Sequence, residues 1–290
     1  MRKRKGKKIG LWILIFILVS MVVIAYKRPD TRFIIKNICA QKGKGVSLAE
    51  VKIDEKQLNF VSVKSIKEKN TDMVYNYTLA LINKKYTANE GMASNIVNYK
   101  NDDDVKMDKS IINDFNNLKD AVKSEIGDNL YIMDSYRTLE EQKKVYAKDK
   151  QIAAAPGSSE HEAGLALDVY VASYAGRSFL KSEAGQFVNK DSWKYGFIIR
   201  YPLFKKNITG IEFEPWHIRY VGKPHSEIIY KNKLCLEEYI ESLKIDTFYK
   251  YGDYIISRQS GDKLLIPNNL TEIVVSPDNM ANYIITGKKQ

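Results

Sequence analysis

The stretch SEHEAGLALD, residues 159–168, constrains the path of this chain more tightly than any other part of the sequence. It places His161 and Asp168 seven residues apart, with Gly164 between them, in a chain that has only three histidines. On a straight helix, two positions seven apart are roughly 10 Å from each other, whereas the bonds from zinc to its ligands are about 2 Å long. The two side chains can therefore share a metal ion only if the chain turns back between them. We expect that turn at Gly164, because glycine adopts backbone conformations that other residues avoid.

A second short motif, EPWH ending at His217, supplies the groups that the first one lacks. A catalytic zinc site has three protein ligands and one open position. His161, Asp168 and His217 provide two imidazoles and a carboxylate, a set that suits zinc. Glu214 lies three residues before His217 and is available to take a proton from the attacking water. The remaining histidine, His225, begins a predicted helix after a proline and is interpreted as structural.

Both motifs resemble those of the VanY-type zinc D-alanyl-D-alanine carboxypeptidases. SEHEAGLALD fits the pattern SxHxxGxAxD, and EPWH fits the pattern ExWH, in the order that this family has them. The resemblance covers residues 79–243 and extends more weakly to the C-terminal region. The same peptidase family contains VanX-like dipeptidases and L,D-carboxypeptidases. Membership implies an α+β fold of the zinc D-Ala-D-Ala peptidase and hedgehog-like type, in which helices flank a small antiparallel sheet.

The resemblance implies a role for each motif residue. His161, Asp168 and His217 match the zinc ligands of the family, and Glu214 matches its catalytic base. Zn²⁺ is therefore the expected cofactor. Zinc that polarises a scissile carbonyl, together with a carboxylate that moves a proton, hydrolyses amide bonds.

Three further residues match positions that bind substrate in the family. Arg137 ends a DSYR segment that is similar to the family's SGYR motif, where the arginine binds substrate and polarises the scissile carbonyl. Gln142 and Ser159 match positions that line the substrate pocket. The chain departs from the family pattern in the first two residues of DSYR and at Ser158, where an aromatic residue is usual. These departures bear on the expected peptide preference and leave the reaction type unchanged.

The predicted function is a zinc D-alanyl-D-alanine carboxypeptidase that removes the terminal D-Ala from peptidoglycan stem pentapeptides. Because this cleavage removes the target of vancomycin-type antibiotics, the resemblance implies a role in glycopeptide resistance or in wall remodelling. Three alternatives stay open: an L,D-carboxypeptidase that acts on tetrapeptides, a non-catalytic zinc-containing module that binds the cell wall, and a membrane-anchored sensor. The presence of Glu214 favours an enzyme, since a pure binding site needs no base.

The N-terminus has the pattern of an uncleaved signal-anchor. Six basic residues lie within residues 1–8, and residues 9–26 form an uncharged, mostly apolar run. A run of this length is about the minimum that spans a bilayer as a helix, and positive charge before it keeps that end in the cytoplasm. We expect residues 1–28 to be a cytoplasmic tail and a single transmembrane helix, with the catalytic domain extracellular. A cleaved secretory signal is the alternative.

The formal net charge of +11 is concentrated in this N-terminal segment. Residues 29–290 carry 38 basic and 35 acidic residues, without a basic stripe interleaved with aromatic residues, which argues against a nucleic-acid partner. The expected partners are peptidoglycan peptides and the membrane. Cys39 and Cys235 make neither a disulfide framework nor a CxxC metal site.

The chain after the predicted anchor divides into three segments: a stalk at 29–70, the zinc carboxypeptidase domain at 71–244 and a small β appendage at 245–290. Within the domain, helical periodicity begins after Asp108, a candidate N-cap, and stops at Gly127. A capping box at Thr138 predicts the start of a second helix. Residues 78–82 (TLALI) and 130–133 (LYIM) are predicted strands.

Overall fold

The computed structural model describes residues 3–40, 45–100, 102–148 and 153–290. Within these ranges the chain forms nine α-helices: α1 Lys3–Lys27, α2 Pro29–Ala40, α3 Val63–Lys67, α4 Ile112–Ile126, α5 Leu139–Lys148, α6 Glu183–Asp191, α7 Lys206–Thr209, α8 His225–Asn232 and α9 Leu236–Ser242. The same ranges contain fourteen strands: β1 Ala49–Val51, β2 Leu58–Ser62, β3 Val74–Tyr75, β4 Ile96–Tyr99, β5 Asp102–Asp108, β6 Tyr131–Asp134, β7 Ala166–Tyr170, β8 Phe197–Ile199, β9 His217–Tyr220, β10 Thr247–Tyr251, β11 Tyr254–Ser260, β12 Lys263–Pro267, β13 Leu270–Pro277 and β14 Asn282–Lys289.

A four-stranded antiparallel sheet, with the strand order β6–β7–β9–β8, forms the centre of the predicted catalytic domain. The main apolar core contains Phe115 and Leu118 from α4, Val188 from α6, and Leu167 and Val169 from β7, all buried. Burial of such apolar side chains is the main favourable contribution to folding. The predicted α+β fold, with helices beside a small antiparallel sheet, is confirmed.

The helix boundaries predicted from the sequence on both sides of β6 are confirmed. Asp108 caps a short 3₁₀ turn by accepting a backbone hydrogen bond of 2.8 Å, and α4 follows that turn directly. Gly127 ends α4 in the left-handed conformation, with a φ of 87°. At the start of α5, Thr138 N donates to Glu141 Oε2 (2.7 Å), and Glu141 N donates to Thr138 Oγ1 (3.3 Å). The predicted capping box is therefore present, and the strand predicted between the two helices is β6.

Residues 78–82 are buried, but the strand predicted there is wrong. The segment is a turn followed by an irregular stretch. The carbonyl oxygens of Thr78 and Ala80 each accept a hydrogen bond of 3.0 Å from Arg219 Nη2. Because a side chain satisfies these backbone groups, this segment can be buried without a neighbouring strand.

The C-terminal strands form a β structure that includes parts of the predicted stalk. A six-stranded sheet has the order β1–β10–β11–β14–β13–β3, and β12 pairs with β2 in a separate two-stranded sheet. Since β1 and β2 come from the predicted stalk, these two strands of the stalk fold together with the predicted appendage. Tyr249, Ile256 and Ile284 of the large sheet share an apolar core with Ile228 of α8 and Tyr239 of α9. The C-terminal sheet is therefore packed against the catalytic domain.

The N-terminal helix α1 runs over the residues predicted to cross a membrane. In the part of the chain that the structure describes, no helix combines the length and the apolar character needed to span a bilayer. The predicted transmembrane helix is thus not supported by the structure. Residues 1–2 of the predicted cytoplasmic tail and residues 41–44 of the predicted stalk lie outside the described residues.

Candidate active site

A sharp turn at Gly164 brings the two ends of the SEHEAGLALD stretch together. Glu160–Ala163 forms a single 3₁₀ turn, and Gly164 follows in the left-handed conformation with a φ of 66°. A Cβ atom at this position would collide with a neighbouring isoleucine side chain and would lie 2.9 Å from Asp108 N. The chain then enters β7, which carries Asp168 back towards His161. The predicted reversal at Gly164 is confirmed, and it requires both a positive φ and the absence of a side chain.

The central sheet adds a second histidine to this pair. Asp168 of β7 lies directly opposite His217 of β9 in the antiparallel register. His217 Nδ1 is 3.0 Å from Asp168 Oδ1, and His161 Nε2 is 3.6 Å from the same oxygen. One candidate ligand atom from each of the three residues lies within 4.8 Å of the other two. The structure therefore brings the three predicted zinc ligands together at a spacing that a single metal ion can bridge.

The hydrogen bonding of His161 favours metal binding. Its Nδ1 lies 2.7 Å from Ser135 O, and because a carbonyl only accepts, Nδ1 carries the proton and Nε2 keeps a free lone pair. Metal-bound histidines commonly donate their other ring N–H in this way. Among the described residues, His161 Nε2, Asp168 Oδ1 and His217 Nε2 are buried without a hydrogen-bond partner. Unpaired buried atoms are costly, and a cation held between these side chains would satisfy the atoms that face it. The donor set fits zinc.

Two carboxyl groups at this cluster have opposite pKa shifts. Burial raises the pKa of Asp168, but the imidazoles of His161 and His217 lower it by more, so that it lies well below its usual range. Asp168 therefore stays ionised, as a metal ligand must. Burial and the charge of Asp168 raise the pKa of Glu214 to about 7, although His217 and Arg137 oppose this shift. Glu214 can therefore both accept and return a proton near neutral pH.

The tight turn of the EPWH motif places Glu214 beside the cluster. Glu214 N donates to Tyr201 O (3.1 Å), and His217 N donates to Glu214 O (3.2 Å) just before β9 begins. Glu214 Oε2 is 3.6 Å from His217 Nδ1, and the glutamate side chain is 14% exposed. Pro215 disfavours a helix at the residue before it, and Pro215 and Trp216 form a turn instead.

Arg137 and Gln142 form a hydrogen-bonded pair next to His161. Arg137 N donates to His161 O (3.2 Å), and Arg137 Nη1 donates to Gln142 Oε1 (2.6 Å). Gln142 Nε2 donates to Ala154 O (2.7 Å), and the Gln142 side chain is fully buried. Both ends of the Gln142 amide are thus used inside the protein. Gln142 holds the guanidinium of Arg137 instead of presenting its own amide to solvent.

A cleft of about 700 Å³ opens beside Glu214. Its lining includes Asn83, Lys84, Ser158, Arg177, Glu214 and Trp216. Ser159, which was predicted to bind substrate, is buried at 3% exposure, and its neighbour Ser158 is the serine that lines the cleft. The position where the sequence departs from the family pattern is therefore in the cleft wall.

A buried charge cluster that the sequence did not reveal lies behind the candidate ligands. Glu160 Oε1 accepts hydrogen bonds from Arg200 Nε (2.7 Å) and Arg219 Nη1 (2.6 Å). Arg200 also forms a bidentate pair with Glu237, at 2.7 and 2.9 Å. Glu160 directly precedes the first candidate ligand, and Arg219 follows the last one by two residues, so that one ion pair connects their segments. The partners of Glu160 are 40 and 59 residues away in sequence, a separation that no local pattern reports.

Comparison with known proteins identifies the family. The family model described as "VanY: D-alanyl-D-alanine carboxypeptidase" matches residues 104–223. A D-alanyl-D-alanine carboxypeptidase of Enterococcus faecium is 35% identical over 239 residues, which cover 74% of this chain and 76% of that protein.

Two solved structures have the same fold. The vancomycin-resistance D,D-dipeptidase VanXYg, in complex with a D-Ala-D-Ala phosphinate analogue, is 26% identical, with a TM-score of 0.63 over 80% of this chain and 98% of its own. A VanY D,D-pentapeptidase mutant from a VanB-type resistance cassette, in complex with Zn(II), is 29% identical, with a TM-score of 0.51 over 56% of this chain and 98% of its own. The chain belongs to the family of VanY-type D-alanyl-D-alanine carboxypeptidases.

Proposed function

We propose that this protein is a zinc-dependent D-alanyl-D-alanine carboxypeptidase that removes the terminal D-Ala from peptidoglycan stem pentapeptides. The observation that carries the proposal is the convergence of His161, Asp168 and His217 within 4.8 Å of one another, with Glu214 beside them at a pKa of about 7. A site that only bound metal would have no need of a further carboxylate beside its three ligands. Family membership supports the same reaction.

The chain's own residues account for the proton transfers and for charge stabilisation. Zinc, when held by His161, Asp168 and His217, supplies Lewis acidity to the attacking water and to the scissile carbonyl. Glu214 takes the proton from the water and returns it to the leaving amine, which its pKa of about 7 permits in both directions. Arg137, fixed by Gln142, holds positive charge close to the cluster for the developing oxyanion or the terminal carboxylate of the substrate. Such preorganised charge contributes several kcal/mol in enzymes, about 3–4 for a single oxyanion donor.

The size of the cleft favours a peptide longer than a free dipeptide. Its volume of about 700 Å³ lies within the range of about 300–1,000 Å³ that holds drug-sized ligands. The lining extends from Glu214 and Trp216 to Lys84 and Arg177, which are exposed. A stem peptide can therefore lie along the cleft with its C-terminal residue at the metal centre.

We place the catalytic domain outside the cell, on a membrane anchor formed by residues 9–26. This part of the proposal rests on the sequence, which has an uncharged run after six basic residues. The exposure of large apolar side chains along α1 supports it, with Trp12 67%, Phe16 72% and Val22 66% exposed. Alkaline extraction of membranes from cells that express the full-length protein tests it: an anchored protein stays in the membrane pellet, and recovery in the supernatant would contradict the anchor.

The enzymatic proposal is tested by measuring D-Ala release from a pentapeptide and from the matching tetrapeptide, before and after zinc removal. We expect release from the pentapeptide, loss of that activity with a chelator, and recovery when zinc is added back. Activity that survives complete zinc removal would contradict the metal mechanism. Preferential cleavage of the tetrapeptide would instead identify an L,D-carboxypeptidase.

A further inference from the structure

The turn between β13 and β14 reaches from the C-terminal sheet to the active-site cleft. Asn279, in that turn, has a φ of 64°. Its side-chain amide Nδ2 donates to Leu81 O (2.9 Å) and to Thr87 O (3.0 Å). These two carbonyl groups stand at the two ends of residues 82–86, which we call the 82–86 loop. A single amide therefore ties both ends of this loop to the C-terminal sheet.

Two further hydrogen bonds hold the segment before this loop. Leu81 N donates to Asp278 O (3.1 Å), and Leu79 N donates to Ser276 Oγ (3.0 Å). The turn that makes these contacts is itself fixed, because the buried carboxylate of Asp278 accepts hydrogen bonds from Arg258 Nε (2.7 Å) and from backbone N–H groups of the same turn. The C-terminal sheet thus presents a rigid support to the loop.

The supported loop forms part of the cleft. Asn83 and Lys84 line the cleft together with Ser158 and Glu214. On the other side of the loop, Ala88 N donates to Gly157 O (2.7 Å), next to Ser158. The loop is therefore held between the C-terminal sheet and the segment that leads into the metal centre.

We propose that Asn279 is a positioning residue for peptide binding, and that the C-terminal sheet acts in substrate recognition by holding Asn83 and Lys84 in the cleft wall. The inference rests on the proposed function, since it concerns the substrate of the same site. An ordered wall lowers the entropic cost of binding a long peptide. Lys84 adds an exposed ammonium group, which favours a carboxylate on the stem peptide. The terminal dipeptide lies at the metal centre, and the wall contacts the rest of the peptide.

The experiment uses the full-length, zinc-loaded protein and the substitution Asn279→Gly. Glycine accepts the positive φ of this position without strain, so the variant removes only the side-chain amide. Asn279→Asp is a second variant, in which a carboxylate oxygen replaces the amide nitrogen and faces the two carbonyl groups. Asn269→Gly, in the exposed turn between β12 and β13, is the matched control.

We expect Asn279→Gly to raise KM for the pentapeptide about tenfold, since the two hydrogen bonds that hold the ends of the 82–86 loop are lost from the support. Asn279→Asp should raise it further. The kcat for the pentapeptide, KM for a short acylated D-Ala-D-Ala substrate, and zinc affinity measured by competition with a chelating dye should stay within twofold. Asn269→Gly should leave all four quantities unchanged.

An unchanged KM for the pentapeptide in both Asn279 variants would overturn the inference. A parallel loss for the short substrate or in zinc affinity would also overturn it, because it would show general damage to the site. If the wild-type protein does not turn over the pentapeptide, the proposed function fails. Calorimetric binding of the same peptide to wild-type and Asn279→Gly protein then still decides whether the wall binds peptide.

Discussion

Two regions of this molecule bury histidine and charged side chains, and they differ in whether those groups are paired. At the junction between α8, α9 and the C-terminal sheet, both ring nitrogens of His225 have partners. Nδ1 lies 2.6 Å from Tyr239 Oη, and Nε2 lies 2.9 Å from Thr286 Oγ1. At the candidate metal centre, the atoms His161 Nε2 and Asp168 Oδ1 are also buried but have no hydrogen-bond partner within the described chain.

The difference separates polar residues that are paired within the fold from polar residues that can bind a ligand. Six buried side-chain atoms lack a hydrogen-bond partner in the ranges that the structure describes, and five of them belong to Arg137, Glu160, His161, Asp168 and His217. The sixth belongs to Asp30 of α2. None lies in the C-terminal sheet, where the buried Asp278 and Arg258 are paired at 2.7 Å. Since an unpaired buried polar atom costs free energy, its concentration at one place indicates function.

The largest effect is expected from a substitution at the candidate metal centre, where Glu214 lies beside the unpaired ligand atoms. Glu214→Gln keeps the size and burial of the side chain but removes the carboxylate that we propose moves the proton. We expect kcat to fall by about 10²–10⁴-fold, the usual contribution of a general base, with zinc content unchanged. Glu140→Gln, on the exposed surface of α5, is the control. A Glu214→Gln protein with wild-type kcat would show that another group takes the proton.

The matching change at the junction is Asp278→Asn, which we expect to affect stability and leave zinc affinity intact. It leaves Arg258, 8% exposed, without its counter-charge, and the loss of one partner of a buried ion pair costs about 3–5 kcal/mol. Denaturant unfolding measures the free energy of unfolding, with Asp253→Asn, in the exposed turn between β10 and β11, as control. A drop in the zinc affinity of the folded variant would show that the two regions are not separate.

The site was more predictable from sequence than the pairing of the strands. The two motifs located His161, Asp168, Glu214 and His217, because the family pattern fixes their order and Gly164 must turn the chain between the first two. The role of Gln142 was not visible, since it depends on Ala154 O and on a guanidinium five residues away.

Strand partners depend on contacts that are distant in sequence. β1 pairs with β10, almost 200 residues later. The sequence of the predicted stalk does not indicate which strand β1 pairs with. The apolar pattern of residues 78–82 predicts burial, and these residues are buried. No strand forms there, because Arg219 donates hydrogen bonds to two of their carbonyl groups. Local pattern therefore predicted burial correctly and predicted the backbone conformation incorrectly.

The pairing of His225 can be tested through the pH dependence of the free energy of unfolding. Burial lowers its pKa to about 3, below the unfolded value of about 6.5, so between these values the unfolded chain binds the proton and the folded protein does not. The stability contribution of neutral His225 is present above pH 6.5 and is lost as pH falls, by about 1.4 kcal/mol per pH unit. Unfolding of chelator-treated wild-type and His225→Gln protein at several pH values measures this slope. Equal slopes in the two proteins would contradict a buried, neutral His225.

The smallest expected effect is that of Thr286→Val, which removes one hydrogen-bond partner from His225 and keeps the shape of the side chain. We expect a loss of about 1–3 kcal/mol of stability, the cost of leaving one buried polar atom unpaired. Thr286→Ser, which keeps the hydroxyl group, should retain most of that stability. The junction would then contain an unpaired imidazole nitrogen, as the candidate metal centre does, but without two further ligand atoms beside it. Zinc titration of Thr286→Val should therefore give the wild-type stoichiometry, because an unpaired nitrogen marks a metal site only where a carboxylate and a second imidazole converge on it.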